Sequence, residues 1–426
     1  MDKLPEEMTF QVLMYAGAIV PKEEGRKLGE EVVKKSQEGP NDRFSHYKKS
    51  MEERLSTARA INASLALVCK SWNLLFTPYL YSTFFATSMR SSQDLLRTLE
   101  SRKDYARHIR QIILGHPVGE IEIWSPNYPN IVEDIVDRCP ELVSLIVVYR
   151  DDLMYEERDY ILPLSSISLS QRIHRTWTHI KFLTASNLLW ESFAAYIMAI
   201  AESWKLEFLH FDLVDGRRAD VGNAHQFIRG RRVLSGLRTL SLTRADPSCL
   251  HLLQSFQFPY LRSFTFQSNT ALPTDVELGT FIWTVFYGLE YLSLPYGVMQ
   301  GDPVTYPIVP YPRLETLVLT ASPHSDFKAP KFPRIPLHSI QTLRLGGAHD
   351  ARRAGGVEEL GAWLTGMCDI RQMPQLRRLQ TDIHMEQTDL LKSHLGMLEE
   401  TMKQHDVTLQ VLDASGDNFE NLSASL

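Results

Sequence analysis

The sequence predicts a chain of mixed helix and strand in two parts. A small helical module comes first, and a long α/β array follows in which each repeat supplies one short parallel strand. Three observations carry this expectation. An apolar-x-x-apolar-x-apolar string recurs from residue 109 onward at intervals of about 24 to 36 residues. Two segments near the N-terminus have helical apolar spacing and are separated by a charged stretch. The chain is 426 residues long, enough for a small module and one large domain.

The first N-terminal segment begins at Leu4-Pro5. Proline suits the first position of a helix, where its missing N–H costs nothing. Glu6 and Glu7 place negative charge in the first turn, which favours a helix N-terminus. Met8, Val12 and Tyr15 follow at helical spacing, and Gly17 is a plausible stop. In the second segment Leu65, Val68, Cys69, Trp72, Leu75 and Phe76 step by three and four onto one face. Thr77-Pro78 is expected to end that helix, because proline disfavours helical geometry in the residue before it. Such small modules with wide apolar faces usually bury them on a partner. On the residues alone, a helical hairpin packed on the rest of the chain is an equally good reading.

Leu-Pro-x-Glu, then Leu-x-x-Val-Cys-x-x-Trp-x-x-Leu and a Thr-Pro-x-Leu-Tyr ending, resembles an F-box across residues 3–17 and 61–85. The resemblance implies a three-helix domain, residues 1–86, that docks on the Skp adaptor of a cullin-based ubiquitin ligase. It also implies that Leu4, Pro5, Met8, Val12, Leu65, Val68, Cys69, Trp72 and Leu75 face the adaptor. The match is interrupted at about 20–60 by an insert rich in Lys, Glu and Arg, a break similar to those in F-box proteins of mushroom-forming fungi. Such a composition buries too little apolar surface to order itself. Closing a long loop costs only on the order of a kcal/mol or two more than closing a short one, so the two halves can still meet.

The repeating strings start at Ile109, Leu142, Leu206, Leu237, Leu261, Leu289, Leu314 and Ile340. A looser copy is read at Trp177-x-x-Ile180-x-Phe182, and shorter ones at Leu376-x-x-Leu379 and Leu409-x-x-Leu412. One short strand cannot bury its apolar side alone, but stacked neighbours form a continuous core worth roughly 1.5–3 kcal/mol per buried Leu or Phe. Helices are expected over 91–101, 131–137, 188–204, 357–367 and 388–404. Proline-rich connections at 295–312 and 323–336 are expected to be extended or irregular.

This array resembles leucine-rich repeats, which implies an irregular solenoid and a substrate-recognition domain over 87–426. The Asn that such repeats usually carry after the third apolar position matches clearly at Asn269 alone; Ala245, Gly297, Ser322 and Ala348 stand in the same slot elsewhere. Residues between the inward apolar positions then form two columns on the concave face. One runs His210, Ser241, Thr265, Ser293, Val318, Arg344, Gln380. The other runs Phe208, Thr239, Ser263, Tyr291, Thr316, Thr342, Arg378. Phe208, His210, Tyr291, Arg344, Arg378 and Gln380 are the candidates for contact with a target, since aromatic and Arg side chains dominate binding hot spots.

Composition narrows the function. The net charge of −6 and the lack of a basic stripe interleaved with aromatics argue against nucleic acid. Four scattered cysteines with no Cys-x-x-Cys argue against zinc or a disulfide framework. No signal peptide is recognised, and no apolar run reaches the ~18 residues of a membrane span. Phosphate-binding, nucleophile-elbow and zinc-protease motifs are lacking, so no catalytic residue, metal or cofactor is expected. Together with the resemblances, these readings imply a non-catalytic substrate receptor of a Skp–cullin–F-box ligase, cytoplasmic or nuclear, with an unidentified target protein. The alternative is a non-degradative repeat scaffold.

Overall fold

A computed structural model describes residues 60, 63–64, 67, 70–86, 89–115, 128–148, 179–189, 193–194, 197, 205–215, 232–268, 281, 288–295, 313–320, 339–346, 373–382, 396 and 398–412. The first N-terminal segment with Leu4, Pro5, Met8 and Val12, the charged insert, and Leu65, Val68 and Cys69 lie outside them. So do the helix expected over 357–367 and most of the two proline-rich connections.

The chain divides into two units, described separately, and within each the successive strands of the array pair in parallel. The first unit holds β1 (Thr83–Ala86), β2 (Gln111–Gly115), β3 (Ser144–Val148) and the start of β4 (Phe182–Leu189). Helix α1 (Lys70–Ser82) precedes β1, and α2 (Met89–Ser101) and α3 (Lys103–Ala106) join β1 to β2. Helix α4 (Tyr128–Arg138) leads to β3. Helices alternating with parallel strands are what an α/β repeat requires.

The second unit holds β5 (Phe208–Asp215), β7 (Thr239–Ala245), β9 (Ser263–Phe266), β10 (Tyr291–Pro295), β11 (Thr316–Thr320), β12 (Thr342–Gly346), β13 (Arg378–Asp382) and β14 (Thr408–Leu412). Between β7 and β9 lies α5 (Ser248–Leu253), whose Cys249, Leu250, Leu252 and Leu253 are buried. Two further short strands, β6 (Arg232–Val233) and β8 (Phe256–Gln257), pair in parallel as a separate ladder.

The recurring string forms the core. From Ile109 to Ile340 the first apolar position of each described copy is buried, and so is the second from Ile112 to Leu379. The third position fills with Phe211, Leu242, Phe266, Leu294, Leu319 and Leu345. A backbone motif repeats with it. The carbonyl one residue after the first apolar position accepts two N–H groups from the next copy, using both oxygen lone pairs. Arg238 O accepts from Arg262 N at 2.8 Å and Ser263 N at 3.0 Å, and Arg262 O accepts from Glu290 N at 2.7 Å and Tyr291 N at 3.0 Å. The same doubled bond recurs at Glu290, Glu315 and Gln341. Within each unit these rungs hold successive copies in one phase.

Close stacking leaves no room at one turn. A Cβ on Gly288 would lie 2.9 Å from the carbonyl oxygen of Leu261, a backbone atom that cannot swing aside.

The rungs correct two phases. Phe182 pairs with Ser144 and Leu183 with Leu145, so the third copy reads Ile180-x-x-Leu183-x-Ala185, three residues later than Trp177-x-x-Ile180-x-Phe182. In β14, Leu409 pairs with Leu379 and Val411 with Thr381, so Leu409 is the second apolar position, not the first. The cause is built into the pattern: its first two apolar positions are three apart, so a neighbouring apolar residue three away mimics the string.

The array also begins earlier than the strings from 109 onward. Phe84 pairs with Ile112 and Ala86 with Leu114, which makes Tyr81-x-x-Phe84-x-Ala86 a further copy. Arg110 N donates to Ser82 O at 2.8 Å, the rung bond of that copy.

Helix ends differ from expectation in two places. Helix α1 runs through Pro78 to Ser82 instead of stopping at Thr77. Proline removes one intrahelical donor, but Phe76 is buried and the last turn is anchored. The Tyr81 ring lies 4.6 Å from that of Tyr105, over which the Arg102 guanidinium sits at 4.4 Å. Tertiary contact outweighs the local break. Leu188 and Leu189 belong to β4, whereas 193, 194 and 197 are helical, so the expected helix over 188–204 starts too early. A short apolar run fits strand and helix alike. The helices expected over 91–101 and 131–137 form α2 and α4, and residues 398–404 of the span 388–404 are helical.

Candidate functional site

Two surfaces carry the contact residues expected from the sequence. The first is α1. Phe76, on the stripe that also carries Trp72, is 2% exposed and sits in the unit's own core. Leu74 is 77% exposed, and Leu67, in the turn before the helix, is 84% exposed. At 100° per residue Leu74 points away from Phe76 by about 160°. The face that α1 leaves to solvent therefore carries Leu74, a residue outside the nine adaptor-facing positions. The side chains of Trp72 and Leu75 lie outside the described residues.

The second surface is the strand face opposite the core side chains. Pairing aligns Phe208, Thr239, Ser263, Tyr291, Thr316, Thr342 and Arg378 in one column, and the same column ends on Thr408. His210, Ser241, Thr265, Ser293, Val318, Arg344 and Gln380 align in the next, which ends on Gln410. Period-two alternation makes these columns legible from sequence, because once the strings are in phase the intervening residues must share a face.

Exposure along the columns is uneven. His210, Ser241, Thr265, Ser293 and Val318 are all buried, as is Phe208. The Ser241 and Ser293 hydroxyls have no hydrogen-bond partner among the described residues. The column from His210 to Val318 is thus buried, whereas Thr239, Ser263 and Thr316 of the neighbouring column are half-buried. Tyr291 is half-buried, and the face opens at β12 to β14. There Arg344, Gln380 and Gln410 are half-buried, and Arg378 and Thr408 are exposed. Gln380 Nε2 donates to Gln410 Oε1 at 2.8 Å. The Arg378 guanidinium has no carboxylate partner among the described residues, whereas its chain neighbour Arg377 lies 3.5 Å from Asp406. Of the six candidate target-contact residues, the structure brings Arg344, Arg378 and Gln380 together at the open end and places Phe208 and His210 under cover. Gln410 and Thr408 were missed because the last copy was read three residues out of phase.

Chemistry at the described thiols is disfavoured. Burial pushes the Cys139 thiol up to about 12, partly opposed by the Arg138 charge. Burial likewise raises Cys249 well above its ordinary value. Both stay protonated near neutrality and so lack the thiolate that a nucleophile or metal ligand needs. Among the described residues no group of three or more His, Cys, Asp or Glu could hold a metal ion, and no helix is long and apolar enough to cross a membrane.

Compared with known protein families and curated proteins, the chain matches no family model and no curated sequence.

Proposed function

We propose that the chain is a substrate receptor of a Skp–cullin–F-box ubiquitin ligase, binding the Skp adaptor through its N-terminal module and a target protein through the repeat array. One observation carries the reading. The helix that completes the Leu-x-x-Val-Cys-x-x-Trp-x-x-Leu motif passes without a linker into the first rung, since Ser82 ends α1 and Thr83 opens β1. An adaptor-type helix joined to a protein-binding type of array is the layout a receptor needs. Its work is proximity: one end docks, the other holds a target at high effective concentration, and a separate enzyme transfers ubiquitin. The reading places the protein in the cytoplasm or nucleus.

A second reading is favoured by the burial of Phe76. If the whole stripe of Leu65, Cys69, Trp72 and Phe76 packs inward, α1 caps the array, and the protein is a repeat scaffold outside the ubiquitin pathway.

Co-purification of the full chain with the Skp adaptor separates the two. The receptor reading expects a stoichiometric complex that is lost in a folded Leu4→Ala/Trp72→Ala variant. No complex with the intact chain establishes the capping role instead.

A further inference from the structure

We infer that the corner of the second unit where β6 and β8 turn into β7 and β9 binds an acidic segment of a partner protein that presents an apolar side chain to Tyr260. The inference deepens the proposed role of the array in target binding and rests on it, with the contact at the edge where the strands begin and not on the strand columns.

Two adjacent copies supply the apolar centre. Strands β6 and β8 each lead through a β-turn into a rung: Leu237 N donates to Leu234 O at 3.4 Å, and Leu261 N donates to Phe258 O at 3.2 Å. Phe256 of β8 is buried, so alternation turns Gln257 outward, beside Val233 with which it pairs. Val233 is 45% exposed, and Tyr260, in the second turn, is 64% exposed. No other large apolar residue described in the second unit is exposed. The positions beside Tyr260 explain its bare ring. Gly236 and Gly288 stand directly before the first apolar residue of the flanking copies, as Tyr260 stands before Leu261, and neither has a side chain to lie against it. Pro259 is exposed in the same turn. Tyrosine is enriched among interface anchors, because its ring takes an apolar side chain while its hydroxyl offers a hydrogen bond.

Charge selects the partner. Residues 232–268 carry four arginines and one carboxylate, in a chain whose net charge is −6. The carboxylate, Asp246, follows the far end of β7, where its Oδ1 accepts from Ser248 N at 2.9 Å, and Arg244 lies at that end too. Arg232, Arg238 and Arg262 lie at the near end. Arg238 and Arg262 are exposed and hold the same place in successive rungs, with Arg262 N donating to Arg238 O at 2.8 Å. Like charges side by side on neighbouring strands repel. Glu290 on the next rung relieves Arg262, whose Nη1 lies 3.3 Å from its Oε1. The Arg238 side chain has no hydrogen bond or ion pair among the described residues, and Glu207 stands on the rung before without pairing to it. A partner carboxylate therefore finds an unused guanidinium, able to give it a charge-assisted pair of N–H bonds, one copy from an exposed aromatic ring. A phosphate backbone would need several such cations, so the corner fits an acidic protein segment with an apolar anchor.

The test uses the full chain to select from a phage-displayed library of random 12-residue peptides, and then measures a selected, fluorescein-labelled peptide by anisotropy. Enrichment is expected for peptides with Asp or Glu beside an apolar or aromatic residue. Their affinity is expected to fall about tenfold or more with Tyr260→Ser and with Arg238→Glu, and to weaken as ionic strength screens the charge. Both residues are exposed, so these variants are expected to fold, and thermal melts verify that. Arg107→Glu, the same charge change in the first unit, is expected to leave the affinity unchanged. Equal loss from Arg107→Glu reduces the effect to net charge and overturns the inference. So does a selection that enriches no such peptide, or an affinity that either Tyr260→Ser or Arg238→Glu leaves unaltered. Skp co-purification of Tyr260→Ser is expected to be unaltered, so failure of this site and failure of the receptor reading give different results.

Discussion

Thr381 occupies the third apolar position of its copy, paired with Leu345 on one side and Val411 on the other. Its side chain is fully buried, and its hydroxyl has no hydrogen-bond partner among the described residues. Thr381→Val replaces that hydroxyl with a methyl group of nearly the same shape. Removing an unsatisfied buried hydroxyl is worth about 1–3 kcal/mol, and the added methyl about 0.8 kcal/mol. The variant is therefore expected to be more stable by roughly 2–4 kcal/mol. With a urea dependence of about 3 kcal/mol per molar, this moves the midpoint up by roughly 0.6–1.3 M at unchanged slope. Paired urea titrations followed by circular dichroism measure it. As a control in the same column, Leu345→Ala is expected to cost about 2–5 kcal/mol. A Thr381→Val protein that is less stable than the parent refutes the reasoning: the hydroxyl then has a partner, and the assigned phase of β13, with the columns built on it, is wrong.

Gly288→Ala is expected to destabilise by about 1–3 kcal/mol, because the new Cβ meets the Leu261 carbonyl oxygen at 2.9 Å; a melting temperature equal to the parent's contradicts the close approach. Cys139, raised from 9.0 to about 12 by burial, is expected to resist thiol reagents at pH 8 in the native chain and to react once the chain is unfolded in urea. Its sign in stability follows from linkage. The unfolded thiol loses its proton first, so its contribution is complete below pH 9 and falls as pH rises from about 9 to 12. Cys139→Ala is expected to flatten that part of the stability–pH curve, and an unchanged slope refutes the assignment.

Much of the array is legible in sequence because its signal is repeated. Leu237-x-x-Leu240-x-Leu242 is a weak string alone, but its copies at Leu261, Leu289, Leu314 and Ile340 share one phase, and the strands β7 and β9 to β12 form where they stand. The signal fails at the ends of the array. Tyr81-x-x-Phe84-x-Ala86 mixes an aromatic and an alanine, and its first residue closes a helix, so it does not look like a copy. Leu409-x-x-Leu412 satisfies the string three residues out of phase, and only pairing with Leu379 corrects it. That slip concealed Gln410, which completes the amide pair with Gln380.

Sequence by itself determined the α/β class of the array and, between Leu206 and Ile340, its buried apolar positions and the column members, because parallel pairing and period-two alternation follow from short-range spacing. Tertiary structure decided what lies open. His210 and Arg344 occupy the same column, yet the first is covered and the second half-exposed. It also carried α1 through Pro78, against the local preference for a break. Both outcomes depend on contacts between residues distant in the chain, which local spacing does not encode.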